Sequence, residues 1–220
     1  RRFMDVALCQ MSKTYFAALS RYDKVLQNRN RLLKSGGADR NTLAPWDELL
    51  ADVGARIVKA RRGYIKRLQP LAAERHAFLS DGREKLELGY EGADGEDIDS
   101  VKASLAAAFV KDRDVDMRLK FTHSGPHRDD MSIAVDGADV RTYGSQGQQR
   151  TVALSLKLAE TALFTEVLGT SPVLLLDDVF SELDASRRRK LLDALDGFQS
   201  VITSTDRGEL DEYGVNVIEI

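Results

Sequence analysis

The sequence predicts an α/β protein, a helical hairpin over residues 1–80 followed by a strand–helix layer over residues 81–220. Three observations carry this expectation. Apolar residues recur at helical spacing through the first third of the chain. Short apolar runs alternate with helical patterns from Leu86 onward. The later runs end in polar or acidic residues, as they do where a site lies at the carboxyl ends of parallel strands.

Taken in order, Leu8, Met11, Tyr15, Leu19, Tyr22 and Leu26 follow at intervals of three and four, the stripe of an amphipathic helix. Ser35-Gly36-Gly37 stops it. A second stripe runs through Trp46, Leu50, Val53, Ile57, Ala60, Tyr64, Leu68 and Leu71, with Pro70 expected to kink or end it. Two stripes joined by a short polar turn suggest an antiparallel hairpin, an arm rather than a globule. After Ser80-Asp81-Gly82, Leu86, Leu88 and Tyr90 alternate as in a strand. A helix is expected over Asp99–Asp114, a strand near Met117–Thr122, and a hairpin turn at Asp136-Gly137. A helix from Gln149 to about Leu168, a strand Val173–Leu176, a helix Ala185–Leu195 and a strand Val201–Thr205 complete the layer.

The chain has 220 residues and is 43% apolar, enough to bury a sizeable core. Its longest unbroken apolar run, Leu105–Val110, is far short of a membrane span, and no signal peptide is visible. The single cysteine, Cys9, excludes an internal disulfide framework and fits a cytoplasmic location; its simplest role is as a small apolar residue on a helix. Because the chain begins at Arg1, it is expected to be a fragment. Net charge is −3, but residues 1–79 hold 16 Lys and Arg against 7 Asp and Glu, so the remainder is strongly acidic. Arg56, Lys59, Arg62 and Lys66 fall on one face of the second helix, where a nucleic-acid backbone would lie. A merely solvated helix face is the competing reading.

Two segments carry chemistry. In Thr142-Tyr-Gly-Ser-Gln-Gly-Gln-Gln-Arg-Thr151 a Gly-Ser-x-Gly-Gln turn opens a helix, so N–H groups, a hydroxyl and an amide can be aimed at a phosphate. In Pro172-Val-Leu-Leu-Leu-Asp-Asp-Val-Phe-Ser-Glu-Leu-Asp184 an apolar strand delivers Asp177 and Asp178 to its end, where Mg²⁺ and an attacking water can be held. Together these read as half of an ATP site. The phosphate cradle GxxxxGK[ST] is absent, since none of the 16 glycines precedes a lysine. His123, His127, Asp129 and Asp130 cluster within eight positions, but Ser124-Gly-Pro favours an ordered turn over a metal site. Arg128 is left open between nucleotide and partner. His76, at the end of the arm, needs no special role.

Four segments, Arg1-Arg-Phe-Met-Asp5, Gly125-Pro-His-Arg-Asp-Asp130, Tyr143-Gly-Ser-Gln-Gly-Gln-Gln-Arg150 and Leu175-Leu-Asp-Asp-Val-Phe-Ser-Glu-Leu-Asp184, carry a family likeness. Through them the chain resembles the RecF family. The resemblance implies the C-terminal lobe of an ABC-type, SMC-like P-loop ATPase head with a helical-hairpin arm, without the lobe that carries Walker A. Ser145, Gly147 and Gln148 would form the signature that meets the γ-phosphate of ATP held by the other subunit of an ATP-dependent homodimer. Asp177 would hold Mg²⁺, Asp178 would orient or deprotonate the attacking water, and Asp184 would lie in the interface-crossing D-loop, with an N-cap role compatible. Thr203, Ser204 and Thr205 stand where the superfamily has a switch histidine. The resemblance further implies binding to single-stranded and double-stranded DNA at gaps or junctions in recombinational repair, replication and the SOS response. It implies a RecR-like partner and weak ATPase activity that this chain alone would lack. An ABC transporter nucleotide-binding subunit and a structural DNA-binding domain without ATPase activity are the alternatives; the basic arm argues against the first and the retained Ser145, Gln148, Asp177 and Asp178 against the second.

Overall fold

The structure is a computed structural model and describes residues 1–180 and 183–204. By its internal contacts the chain forms two compact units, Arg1–Arg67 with Leu88–Ser132, and Leu68–Glu87 with Ile133–Ile220. The boundary expected at residue 80 falls inside the second of these.

The first unit is helical. Arg2–Met11 (α1) and Lys13–Ser35 (α2) replace the single helix expected there, because Ser12 is extended at φ −145° and its hydroxyl accepts the Tyr15 N–H as an N-cap. A long helix, Arg40–Leu79 (α3), leads out of the unit, and Ile98–Leu119 (α4) returns to it behind a capping box of Asp97 and Ser100. Val101, Leu105 and Phe109 of α4 are buried, as are Leu43, Leu50 and Ile57 of α3. The hairpin is therefore part of a packed unit: its apolar stripes need the third helix to cover them.

No strand forms at Met117–Thr122, since α4 runs through Leu119. The helix is hard to follow to its end in the sequence because a carboxylate occupies its buried stripe. Asp116 is wholly buried and accepts from Arg29 Nη1 at 2.6 Å. Arg29, also wholly buried, donates through Nε to Asp47 at 2.7 Å, and Arg113 reaches the other Asp47 oxygen at 2.7 Å. Such a cluster resists removal of any one member, which would strand a charge at a cost of about 3–5 kcal/mol.

Pro70 neither ends nor divides α3. It lies on the exposed face, where the carbonyl it deprives of a partner can meet water. Leu68 and Leu79 are buried on either side of it. Their burial contributes roughly 3–6 kcal/mol, against about 3 kcal/mol for the proline.

Most of the α/β layer belongs to the second unit, with Leu88–Glu91 and Asp130–Ser132 counted in the first. Leu86–Glu91 (β1), Asp130–Val135 (β2) and Ala138–Asp139 (β3) follow one another in a sheet. Ala134 pairs with Asp139 and Val135 with Ala138, leaving Asp136 and Gly137 as the two turn residues at φ 51° and 80°. Both lie in the left-handed region that this tight hairpin requires. Val140–Tyr143 (α5) and Gln146–Leu168 (α6) lead to Leu174–Leu176 (β4), then Ala185–Leu195 (α7), then Ser200–Ile202 (β5). β4 and β5 are parallel, Leu175 opposite Val201. Leu174, Leu176 and Ile202 pack on a core of Leu79, Leu158, Phe180, Leu183, Leu191 and Leu195. Among the described residues nothing covers the opposite face: Val173, Leu175 and Val201 are 52%, 77% and 53% exposed. Among these residues the strand expected to be buried is covered on one side only. Among the described residues no helix is long and apolar enough to cross a membrane.

Candidate functional site

α6 begins where the chain turns out of α5. A Cβ on Gly144 would lie 2.5 Å from the Val140 carbonyl oxygen, so the turn admits only glycine without a backbone shift. Ser145 then caps α6. Its Oγ accepts the Gln148 N–H at 3.2 Å and its own N–H donates to Gln148 Oε1 at 3.0 Å, a reciprocal capping box. The N–H groups of Gln146 and Gly147, at the first two helical positions, have no acceptor within the helix. With the helix dipole and the Ser145 hydroxyl they form an end suited to an anion. A Cβ on Gly147 would meet nothing nearer than Arg187 Nη1 at 3.4 Å, so the glycine leaves that end open rather than relieving a clash.

The Gln148 amide is engaged at both ends, since Nε2 donates to Glu84 Oε1 at 3.1 Å. Of the N–H groups, hydroxyl and amide that the sequence offered to a phosphate, the amide is thus already engaged, and the Ser145 hydroxyl and the two N–H groups are left. Glu84 in turn faces His76, whose Nε2 lies 3.1 Å from Glu84 Oε2 and whose Nδ1 lies 3.2 Å from Ser155 Oγ. His76 is wholly buried, and burial lowers its pKa against the opposing pull of Glu84. Neither residue stands out in the sequence, because each acts through a fold contact with α6.

Asp184 caps α7 by accepting the Arg187 N–H at 2.9 Å, and its other oxygen lies 3.4 Å from Arg187 Nη1. The start of α7 therefore sits beside Gly147. Arg187 was concealed in the run Arg187-Arg188-Arg189, which reads as a solvated face. Ser181 and Glu182 of the same segment lie outside the described residues.

The paired carboxylates stand at the end of β4. Thr203 N–H donates to the Leu176 carbonyl at 2.9 Å, carrying the parallel pairing one residue past β5. Its hydroxyl donates to Asp177 Oδ1 at 2.6 Å and accepts the Asp178 N–H at 3.0 Å. Asp178 has φ 49°, a conformation that costs an L-residue on the order of 1 kcal/mol. Both aspartates are exposed and Ser204 is half-buried, while Thr205 lies outside the described residues. Two exposed carboxylates offer hard oxygen donors of the kind that suits Mg²⁺, an ion bound through one or two carboxylates that keeps several of its waters.

Comparison with known proteins decides the family. No family model matches. The chain is 46% identical over its whole length to the DNA replication and repair protein RecF of Lachnoclostridium phytofermentans, and 44% identical over 96% of its length to that of Symbiobacterium thermophilum. It superposes with a TM-score of 0.85 and 38% identity on a solved structure of the recombination mediator protein RecF with ATP, over 94% of this chain and 57% of that one. The chain belongs to the RecF family. It spans 59% of the length of the Lachnoclostridium relative and 58% of the Symbiobacterium one. The α/β, ABC-type ATPase fold expected from the sequence is the fold of the RecF–ATP structure.

In this RecF-family chain the four basic residues of α3 divide into two pairs. Arg56 and Lys66 are exposed, Arg56 only loosely paired with Asp52 at 3.8 Å. Lys59 Nζ donates to the Glu96 carbonyl at 2.7 Å, and the Arg62 guanidinium donates to the carbonyls of Ala93 and Gly95 while lying 5.7 Å from the Tyr90 ring centre. Arg56 also borders, with Arg21, Ser12 and Thr14, a cleft of about 470 Å³ between α2 and α3.

The Gly125–Asp130 segment is an internal tie. The Pro126 carbonyl accepts from buried Arg61 at 2.6 Å, His127 bridges the Tyr22 hydroxyl at 2.8 Å and the Thr122 carbonyl at 2.9 Å, and Asp129 accepts from the Tyr90 hydroxyl. Burial lowers the His127 pKa and raises that of Asp129. Arg128 lies 5.3 Å from the Phe121 ring centre. With His123 on Asp116, these engagements make the segment an ordered turn.

Proposed function

We propose that this chain is the signature-bearing and acidic part of an ATP-gated, DNA-binding RecF-type protein of recombinational repair, replication and the SOS response. The observation that carries the reading is the Ser145 helix end, capped from within the chain yet open to an anion at its first two N–H groups. Ser145, Gly147 and the α6 dipole would contact the γ-phosphate of a nucleotide held by a second subunit, so that ATP joins two copies. Asp177 would hold Mg²⁺, which when bound neutralises phosphate charge, and Asp178 would orient or deprotonate the attacking water. Asp184, at the start of α7 beside Gly147, would face the same interface, and Thr203, Ser204 and Thr205 would report on the γ-phosphate. Arg56, Lys59, Arg62 and Lys66 would lie along DNA phosphates at single-strand gaps or duplex junctions, with a RecR-like mediator as protein partner.

The test is a pair of variants in the full-length protein. Ser145→Arg should leave nucleotide binding by one subunit intact and abolish ATP-dependent dimerisation. Asp178→Asn should trap the ATP dimer. Light scattering with and without ATP reads both, and identical behaviour of the two variants would overturn the separate roles.

A further inference from the structure

We propose that Glu84 and His76 are positioning residues for the α6 helix end: they set which way the Gln148 side-chain amide points, and through it hold Ser145 in the capped geometry. This rests on the reading that the helix end meets phosphate.

The two ends of a glutamine amide have nearly the same shape and opposite hydrogen-bonding character. At Gln148 the orientation matters, because Ser145 presents a backbone N–H that only the amide oxygen can accept. A flipped amide would set NH₂ against N–H and release the cap. Glu84 prevents the flip. Its carboxylate accepts only, so it draws Nε2 toward itself and leaves Oε1 for Ser145. Half-buried Glu84 is in turn held by His76, whose Nε2 must carry hydrogen to face the other carboxylate oxygen.

Proton counting extends the chain one step further. Ser155 Oγ lies 3.2 Å from His76 Nδ1 and 2.7 Å from the Thr151 carbonyl, yet has one hydrogen. With neutral His76, Ser155 turns that hydrogen to Nδ1. With the imidazolium, Nδ1–H donates to Ser155 and Ser155 donates to Thr151. Both states keep Nε2–H on Glu84, so the polarity reaching Gln148 is the same. The series Ser145, Gln148, Glu84, His76, Ser155 thus begins and ends on α6, and its two links off that helix determine the orientation of its first turn.

The test compares Glu84→Ala and Glu84→Gln in the full-length protein, by hydrogen exchange of the segment 144–149 and by ATP-dependent light scattering. The amide introduced by Glu84→Gln can serve as rescue: its carbonyl accepts from Gln148, and its NH₂ donates to Nε2 of the other His76 tautomer, whose Nδ1–H then faces Ser155. Glu84→Ala should speed exchange at Ser145 and Gln148 by about fivefold, as loss of one hydrogen bond does, and raise the ATP concentration needed for association, with the rest of α6 unaltered. Glu84→Gln should stay within about twofold of the unsubstituted protein on both measures. Wild-type exchange at 144–149 in Glu84→Ala, or a Glu84→Gln variant as impaired as Glu84→Ala, would overturn the proposal. If the unsubstituted protein shows no ATP-dependent association, the phosphate reading falls while the exchange comparison still decides the positioning role.

Discussion

The Thr203 hydroxyl donates to Asp177 Oδ1 at 2.6 Å while its oxygen accepts the Asp178 N–H at 3.0 Å. One side chain from the end of β5 therefore fixes both acidic residues at the end of β4, including Asp178 in its left-handed conformation. Thr203→Val should weaken Mg-ATP binding by the full-length protein by about tenfold or more, because a hydrogen bond to a charged group is lost. Thr203→Ser, which keeps the hydroxyl, should bind within about twofold of the unsubstituted protein. Calorimetric titration distinguishes them; equal losses would mean that the hydroxyl alone does not fix the site.

The division among the four basic residues of α3 gives a second expectation. Arg56→Gln with Lys66→Gln should leave stability unchanged and flatten the slope of log affinity against log salt on duplex DNA by up to about 0.9 per lost phosphate contact. Changing Lys59 and Arg62 should also loosen the 93–96 segment, visible as faster hydrogen exchange there. An unaltered salt slope in the first pair removes Arg56 and Lys66 as phosphate contacts, and an unaltered slope with all four changed removes α3 as the DNA-binding element.

Gly144 and Gly147 should respond differently to alanine. Gly144→Ala meets backbone at 2.5 Å and should cost about 1–3 kcal/mol in urea denaturation. Gly147→Ala meets only the end of a flexible arginine, and an alanine within a helix gains up to about 1 kcal/mol. Its effect should appear in ATP-dependent association, where the added methyl occupies the open helix end. A Gly147→Ala variant that destabilises as much as Gly144→Ala would contradict the open geometry.

The buried histidines predict an acid-side loss of stability. The pKa values of His76 and His127 are lowered by burial below 6.5, the value expected when unfolded. Below that pH the unfolded chain takes up protons that the folded chain resists. Stability present above about 6.5 is therefore lost as pH falls toward the folded values. The urea midpoint should be lower at about pH 5.5 than at about pH 7.5, and His127→Gln should reduce the difference. A midpoint independent of pH in that window would show that neither imidazole resists protonation.

Local rules made much of this legible from sequence. The Ser145 cap, the Asp184 cap, the Asp136-Gly137 hairpin and helix Ala185–Leu195 each follow from residues within a few positions of one another. What was not legible depends on distant partners. Asp116 broke the apolar pattern of α4 because its counterion, Arg29, lies 87 residues away. Pro70 did not stop α3 because burial on both sides of it exceeds its local penalty. Glu84 meets Gln148, and His76 meets Ser155, only once the end of α3 has packed beside α6.

The bare side of the β4–β5 pair bears on how this polypeptide behaves in a tube. Parallel strands are ordinarily shielded on both faces, and here Val173, Leu175 and Val201 present an oily strip to water. Taken alone, the 220-residue chain should therefore be prone to stick to itself and to hydrophobic resins, increasingly so on warming from the cold room, where such attraction weakens. Salting-out agents such as ammonium sulfate should precipitate it early, and a serine at Leu175 should raise its solubility limit without disturbing the packed side of the sheet.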